Sequence, residues 1–248
     1  MVEAIGMTDI GNGRPSNQDA YLMRQSEYKG KMILLAAVCD GMGGLKQGEI
    51  ASGYLIELLK QWFEEVMPGL CENNNIGLIQ KNLIQLIKKS NKNLLLMSKG
   101  SDQAMGSTLT LLFVMDKKFF VLNIGDSRAY WFDRKRKYVT TDQTLVQLEV
   151  KAGHMTKEQA RKDPRRHILV QCVGVTKDVK VDCYRGRLEE GMEFLLCTDG
   201  FYGLLEEEEI YHIEANQTEM KQWVENCFQK VKDRGELDNL SCIIIKVP

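Results

Sequence analysis

The order of predicted elements favours an α+β fold, in which antiparallel sheets are covered by helices on their outer faces. Strand-like runs open the chain, two long helical segments follow, then strands, two more helices and a last strand. Helices that come in pairs argue against a doubly wound parallel sheet, in which strands and helices alternate. The closely spaced central strands are typical of antiparallel meanders. Since no Pro-, Gly- or Ser-rich linker divides the 248 residues, we expect one domain over 1–248.

The first half of the chain combines short strands with two amphipathic helices. Apolar runs at 4–9, 19–24 and 31–39 predict three strands. Apolar residues then recur every three or four positions at 47–66, which predicts a helix that ends at Pro68 and Gly69. The same periodicity predicts a second helix at 76–97.

In the second half, strands return, an irregular segment interrupts them, and two helices precede the last strand. The strands are predicted at 108–115, 118–124, 127–132, 138–140, 179–187, 193–197 and 241–247. The helices are predicted at 206–213 and 218–234. Between 141 and 174 the pattern loosens into short polar helices, at 146–152 and 156–162, as in a surface insertion or flap.

Composition excludes several classes of partner. Lys and Arg total 33 against 34 Asp and Glu, so no basic surplus favours nucleic acid. No apolar stretch reaches membrane-spanning length, and the chain opens without a signal-peptide pattern. Seven scattered cysteines without a CxxC pair are typical of a reducing compartment. We therefore expect a cytoplasmic protein, and a monomer, that binds neither nucleic acid nor membrane.

Aspartates that stand at the ends of apolar runs are the strongest indication of function. Asp40, Asp126 and Asp199 each end such a run beside a glycine, and Asp238 precedes the last one. Strands with these ends would bring carboxylates to one rim of a sheet, where hard divalent cations bind through oxygen. For any one occurrence, an Asp-Gly pair is also typical of a tight turn.

Four such aspartates, together with Asp19, weaken the turn interpretation. Bare carboxylates that cluster repel one another and raise each other's pKa, so a shared cation is expected. The three histidines, His154, His167 and His212, are dispersed, and oxygen-only ligation favours Mg²⁺ or Mn²⁺ over Zn²⁺. Two such ions about 3.5 to 4 Å apart convert a bridging water into a nucleophile. The sequence thus favours hydrolysis of a phosphate ester.

Arg14 is the candidate for binding the phosphate. It lies in a Gly/Pro turn shortly before Asp19, and guanidinium groups bind phosphate oxygens bidentately. An exposed turn arginine without such a role is the alternative.

Six ordered motifs, which span nearly the whole chain, resemble those of the metal-dependent serine/threonine protein phosphatases of type 2C in their compact bacterial form. They are Arg14-x-x-Asn17-x-Asp19, Asp40-Gly41-Met42-Gly43-Gly44, Gly106-Ser107-Thr108, Gly125-Asp126-Ser127-Arg128, Cys197-Thr198-Asp199-Gly200 and Asp238-Asn239. The resemblance implies a four-layer α-β-β-α sandwich, with two mainly antiparallel sheets flanked by helix pairs. It also implies that 141–174 is the flap over the active-site cleft.

The resemblance further implies a role for each acidic residue. Asp40 would bridge two metal ions, and the Gly41 carbonyl would bind the second. Asp199 and Asp238 would complete the first, and Asp19 would hold metal-bound water.

Three other positions carry implied roles of their own. Arg14 would grip the phosphoryl group, and Asp126 would join Asp199 at a third, weaker metal. Gln18 replaces an acidic residue of many members, so we expect weaker binding of the second ion. His167 falls where a bacterial relative has a third-metal ligand, although a lone histidine in a polar loop is more often simply solvated.

The function implied is hydrolysis of phosphoserine and phosphothreonine in proteins by a metal-bridging hydroxide, without a phosphoenzyme. The expected cofactors are two Mg²⁺ or Mn²⁺ ions, with a third at the weaker site. The expected partners are phosphorylated proteins, the substrates of a bacterial Ser/Thr kinase that the enzyme opposes. The alternatives are a pseudophosphatase that serves as a phosphoprotein-binding scaffold and a phosphohydrolase for small phosphate esters.

Overall fold

Two antiparallel sheets form the centre of the fold. The structure, a computed structural model, describes residues 2–44, 47–99, 104–133, 136–210 and 216–247. The first sheet has the order β1 (Glu3–Asp9), β11 (Leu240–Lys246), β10 (Glu193–Cys197), β7 (Arg128–Phe132), β8 (Lys137–Val139). The second has the order β2 (Asp19–Tyr28), β3 (Lys31–Met42), β5 (Leu109–Met115), β6 (Lys118–Ile124), β9 (Asp182–Arg187), and β4 (Gly106–Ser107) pairs with β3. The predicted α+β class with antiparallel sheets is confirmed.

The helices lie on the outer faces of the sheets and in the segment that follows β8. They are α1 (Gln47–Gln61), a π-helical turn (Trp62–Val66), α2 (Met67–Cys71), α3 (Ile76–Ser98), α4 (Leu145–Lys151), α5 (Lys157–Lys162), α6 (Asp199–Tyr202), α7 (Glu207–Ile210) and α8 (Gln217–Asp233). Asn75 and Asn216 cap α3 and α8 by accepting hydrogen bonds from the first free backbone N–H groups.

Three apolar cores stack through the molecule and account for its four layers. Helices α1 and α3 bury Leu55, Leu59 and Leu83 against one face of the second sheet. The middle core lies between the sheets, where Phe119 and Phe194 meet edge to face with ring centroids 5.0 Å apart. The third core packs α6, α7 and α8 on the first sheet. This is the α-β-β-α order that the resemblance implied.

One local prediction was wrong, one short helix was not predicted, and another helix is described only in part. Pro68 does not end the first helical region, because it stands in the first turn of α2, where a proline needs no N–H partner. The helix α6 was not predicted, since four residues are too few to show a helical period. Of the helix predicted at 206–213, the structure describes Glu207–Ile210, and 211–213 lie outside the described residues.

The helices also bear on membrane insertion. Among the described residues, none of them combines the length and the apolar character that crossing a bilayer requires.

Candidate active site

Strand direction brings the predicted aspartates of both sheets to one end of the sandwich. Asp19 opens β2 and lies opposite Asp40 of β3 in the antiparallel register. Asp126 follows β6, which runs parallel to β3 because both pair antiparallel with β5. In the other sheet, Thr198 and then Asp199 follow the end of β10. Asp238 lies just before the start of β11, which pairs antiparallel with β10, so the two aspartates are at the same end of the sheet.

The backbone around Asp40 is fixed on both sides. The Asp40 N–H donates to Thr108 Oγ1 over 2.9 Å, and the Asp40 carbonyl accepts from the Thr108 N–H and from Ser107 Oγ. The Gly41 N–H donates to the Gln18 carbonyl over 3.0 Å. The Gly-Ser-Thr motif therefore acts as a bracket that sets the direction of the Asp40 carboxylate.

Asp19 is a buried carboxylate held by one of its two oxygens. Thr198 Oγ1 donates to Asp19 Oδ2 over 2.8 Å, whereas Oδ1 has no hydrogen-bond partner. The pKa of Asp19 is raised to about 7, mainly by burial and to a smaller extent by the charges of Asp199 and Asp238. An unpaired oxygen on a buried carboxylate is costly unless something else binds it.

Asp40 and Asp199 approach each other at the centre of the cluster. Burial, followed by the charge of Asp19 and Asp199, raises the pKa of Asp40 well above its ordinary value. Burial alone would raise the pKa of Asp199 as well, but hydrogen bonds with His167 and Asp40 outweigh it and lower that pKa. Asp199 Oδ1 is a second buried oxygen without a partner. The His167 ring, although largely exposed, lies with Nδ1 3.4 Å from Asp199 Oδ2.

Asp126 is positioned by a buried network of aromatic and charged groups. The Tyr202 hydroxyl donates to the Asp126 carbonyl over 2.9 Å. The Arg128 guanidinium lies 3.8 Å from the centre of the Tyr202 ring and donates twice to Asp142, at 2.8 and 2.7 Å. Burial, then the charges of Asp199 and Asp142, raise the pKa of Asp126. This network links Asp126 to the first residues of the predicted flap.

Arg14 and Asp238 form a bidentate ion pair. Arg14 Nε donates to Asp238 Oδ1 over 2.7 Å, and Nη2 donates to Oδ2 over 2.6 Å. Asn239 fixes the turn that carries Arg14, because its side chain donates to the Ile10 and Ser16 carbonyls and accepts from the Gln18 N–H. Arg14, predicted to bind phosphate, and Asp238, predicted to bind a metal ion, are thus hydrogen-bonded to each other.

The donor set fits Mg²⁺ or Mn²⁺ in chemistry. It consists of carboxylate oxygens, two of them buried without a partner, at a place where burial and then the surrounding negative charge raise the pKa of Asp40. Within the described ranges, no three His, Cys, Asp or Glu side chains are already arranged to hold a metal ion. The contacts explain why, since Arg14 engages both oxygens of Asp238 and Thr198 engages one of Asp19.

Sequence reasoning missed three contributors to this site. The motifs contain Thr198 and Asn239 but give them no role, because their hydrogen bonds run to residues far away in sequence. No motif includes Tyr202, although its place one helical turn after Asp199 is a signal that could have identified it.

Comparison with known proteins identifies relatives over nearly the whole chain. Residues 5–244 match the family described as protein phosphatase 2C. The serine/threonine phosphatase Stp of Listeria innocua is 27% identical over 242 residues, which cover 96% of this chain and 93% of that protein. The protein phosphatase PhpP of Streptococcus pneumoniae is 28% identical over 247 residues, with 97% and 96% covered.

Solved structures of serine/threonine phosphatases also superpose on the whole chain. The serine/threonine phosphatase Stp1 from Staphylococcus aureus superposes with a TM-score of 0.82 at 28% identity, covering 100% of this chain and 96% of that one. The S. agalactiae serine/threonine phosphatase reaches a TM-score of 0.80 at 26% identity, with 100% of both chains covered.

Proposed function

This chain belongs to the protein phosphatase 2C family and is a protein serine/threonine phosphatase, and from this premise we propose that it hydrolyses phosphoserine and phosphothreonine in proteins with two Mg²⁺ or Mn²⁺ ions. The observation that carries the proposal is the convergence of aspartates from both sheets, with two buried carboxylate oxygens left unpaired. We also propose that 1–248 acts as one catalytic domain.

The residues proposed to hold the ions are those predicted from the sequence. Asp40 would be shared by the two ions, the Gly41 carbonyl would bind the second, and Asp199 and Asp238 would complete the first. Asp19 would hold metal-bound water, and Asp126 would join Asp199 at a third site. Bound there, such ions would supply an activated water and neutralise phosphoryl charge. The bracket around Asp40 and the hydrogen bond from Thr198 to Asp19 hold these carboxylates in place before substrate arrives.

Arg14 would bind two oxygens of the phosphoryl group. A phosphoryl group offers a pair of oxygens much like those of the Asp238 carboxylate, which Arg14 holds through Nε and Nη2. Substrate binding would then exchange one oxyanion for the other and release Asp238 toward the cluster.

The cysteines support direct attack by water rather than a phosphocysteine. Burial raises the pKa of the Cys39 and Cys197 thiols, and raises that of Cys172 to about 12. Thiols with such pKa values are poor nucleophiles at neutral pH. All seven cysteines are free, which also supports our proposal that the enzyme works in the cytoplasm, opposing a bacterial Ser/Thr kinase.

A phosphoprotein-binding scaffold without turnover is the second candidate. The pairing of Arg14 with Asp238 favours it, because as the side chains stand neither residue is available for its catalytic role. The presence of Asp40, Asp199 and Asp238 together argues for the enzyme.

Phosphate release from a phosphothreonine peptide tests the proposal. We expect release by the wild-type chain to require Mn²⁺ or Mg²⁺ and to be lost in Asp199→Asn. Asp116→Asn, in the exposed turn between β5 and β6 at the opposite end of β6 from Asp126, is the matched control and should keep full activity. A wild-type chain that binds the peptide but releases no phosphate with either metal would favour the scaffold.

Arg14→Ala is expected to raise KM for the phosphopeptide by about ten- to a hundredfold, the value of hydrogen bonds to a charged group. Removal of the guanidinium also frees Asp238, so Mn²⁺ should bind at least as tightly as in the wild type. Steady-state kinetics and calorimetric Mn²⁺ titration measure the two effects. Arg14→Lys keeps the positive charge but loses the pair of guanidinium donors, so its KM should lie between those of the wild type and Arg14→Ala. An unchanged KM in Arg14→Ala would refute the phosphate role.

A further inference from the structure

Helix α3 presents a row of lysines to solvent. Lys81, Lys88 and Lys92 are exposed and, at spacings of seven and four residues, lie along one line of the helix. The helix contains neither Asp nor Glu. Among the ion pairs of the described residues, none involves these lysines. In a chain of net charge −1, such a row is a local concentration of positive charge.

Strand β9 continues the row beside the helix. Arg185 lies opposite Phe120 of β6 in register and so on the sheet face that α3 covers. Phe120 is buried whereas Arg185 is exposed, so β9 projects beyond the cover of the helix. Contact between the two elements is direct, because Arg185 Nε donates to Gln80 Oε1 over 2.7 Å, and Gln80 immediately precedes Lys81. Arg187, two residues on, is exposed on the same face.

The row has a direction, with one end at the candidate active site. At the far end, Lys117, Lys118, Arg185 and Arg187 line an open cavity of about 550 Å³. At the near end, Asn91, which precedes Lys92, donates to the Thr176 and Lys177 carbonyls and accepts from the Gly174 N–H.

Two further contacts connect that near end to the catalytic cluster. Val173 pairs with Ser107, and Ser107 Oγ donates to the Asp40 carbonyl over 3.0 Å. The row therefore ends beside the loop that positions Asp40.

We propose that this surface, the cationic track, binds an acidic extended segment of the phosphorylated substrate protein, apart from the phosphorylated residue itself. The track consists of Lys81, Lys88, Lys92, Lys177, Arg185 and Arg187. The proposal rests on the proposed function, which it extends by naming a substrate class. From Lys81 to Lys92 the helix spans about 16 Å, at about 1.5 Å per residue, which matches roughly five residues of extended peptide at about 3.3 Å each.

An acidic peptide fits the track better than a membrane does. β9 is the last strand of its sheet and pairs only with β6 among the described strands, so its outer backbone groups can bond an added strand. Lipid headgroups lack the alternating donors and acceptors of a peptide backbone, so they cannot form such a ladder. The positive charge also lies in a corner between a helix and a sheet edge rather than on a broad flat face, and an extended chain fits that shape.

A pair of phosphothreonine peptides tests the track. Both carry the same core and flexible linker, one with a glutamate tail and the other with a glutamine tail of equal length. We expect the wild-type chain to hydrolyse the glutamate-tailed peptide with the lower KM and a similar kcat. In Lys88→Glu/Lys92→Glu, KM for that peptide should rise about tenfold, and the rise should shrink at high salt because exposed charges are screened. KM for the glutamine-tailed peptide should not change.

Lys60→Glu/Lys221→Glu is the control, since it makes the same charge change on α1, which packs on β2 and β3, and on α8, which packs on β1 and β11. Each of these lysines pairs with a glutamate of its own helix, and exposed pairs of this kind contribute little to stability. It should leave KM for both peptides as in the wild type. Equal KM values for the two peptides in the wild type, or equal effects of the two double variants, would overturn the proposal. So would binding to phosphatidylserine vesicles that the Lys88/Lys92 variant loses, without any preference for the acidic tail. If neither peptide were hydrolysed with Mn²⁺, the proposed function itself would fail.

Discussion

Asp40→Asn is expected to remove most of the phosphatase activity and, in the same variant, to raise the free energy of unfolding. Asp40 lies in register with Asp19. Burial, and then the charges of Asp19 and Asp199, raise the pKa of Asp40 well above its ordinary value. A carboxyl whose pKa is higher in the folded than in the unfolded state destabilises the fold at any pH above its ordinary pKa. The neutral amide removes that cost but is a poorer ligand for a hard divalent cation.

The expected loss of activity and gain in stability of Asp40→Asn are each large enough to measure. Activity with Mn²⁺ should fall by about a thousandfold, since a ligand shared by both proposed ions is lost. In the presence of a chelator, urea unfolding should show a gain of about 1 kcal/mol, on the order of one neutralised buried charge among like charges. Added Mn²⁺ should stabilise the wild type by linked binding and leave the variant nearly unchanged.

The exposed Asp116 supplies the comparison for this variant. Asp116→Asn makes the same chemical change outside the cluster, at a turn whose positive φ of 57° asparagine tolerates. It should change neither activity nor stability. An Asp40→Asn protein less stable than the wild type in chelator would mean that the acidic cluster is not under the electrostatic strain inferred for it.

The strands were predictable because local sequence marks both of their ends. β6 and β10 have the predicted bounds, 118–124 and 193–197, since each is an apolar run followed within two residues by Gly125 or Asp199. Pro68 misled the prediction because a proline can begin a helical turn as well as end one. Strand direction then follows from antiparallel pairing, and with it the meeting of the aspartates at one end of the sandwich.

The contacts within the site were not predictable in the same way. Arg14 and Asp238 were each identified, but their pairing across 224 positions depends on how Asn239 anchors the loop before β2. His167 was interpreted as a solvated histidine with metal ligation as the alternative, and it lies exposed but beside Asp199. Sequence patterns indicate which residues reach the site, whereas the partner each selects depends on distances that only the assembled sheets define.

Gly41→Ala is expected to cost about 3 kcal/mol of stability, near the upper end for overpacking, together with most of the activity. A Cβ at Gly41 would overlap the Gly48 carbonyl at the start of α1 and would lie 2.6 Å from the Gln18 carbonyl. Both are backbone groups, which cannot move aside by changing a rotamer. To fit the methyl group, α1 or β2 must shift away from β3 just where Asp40 is fixed, and misplacement by about 1 Å can cost a hundredfold in rate.

Gly53→Ala is the control for Gly41→Ala, because Gly53 lies within α1 and a Cβ there meets no atom within 4 Å. It should stabilise the protein by roughly 0.5 to 1 kcal/mol through helix propensity and keep full activity. Urea unfolding and phosphopeptide hydrolysis follow both variants. Normal stability and activity in Gly41→Ala would show that the close approach of β3 and α1 is not required. Because Asp40→Asn should lose activity while gaining stability, and Gly41→Ala should lose both, the two variants separate the charge of the cluster from the geometry that holds it.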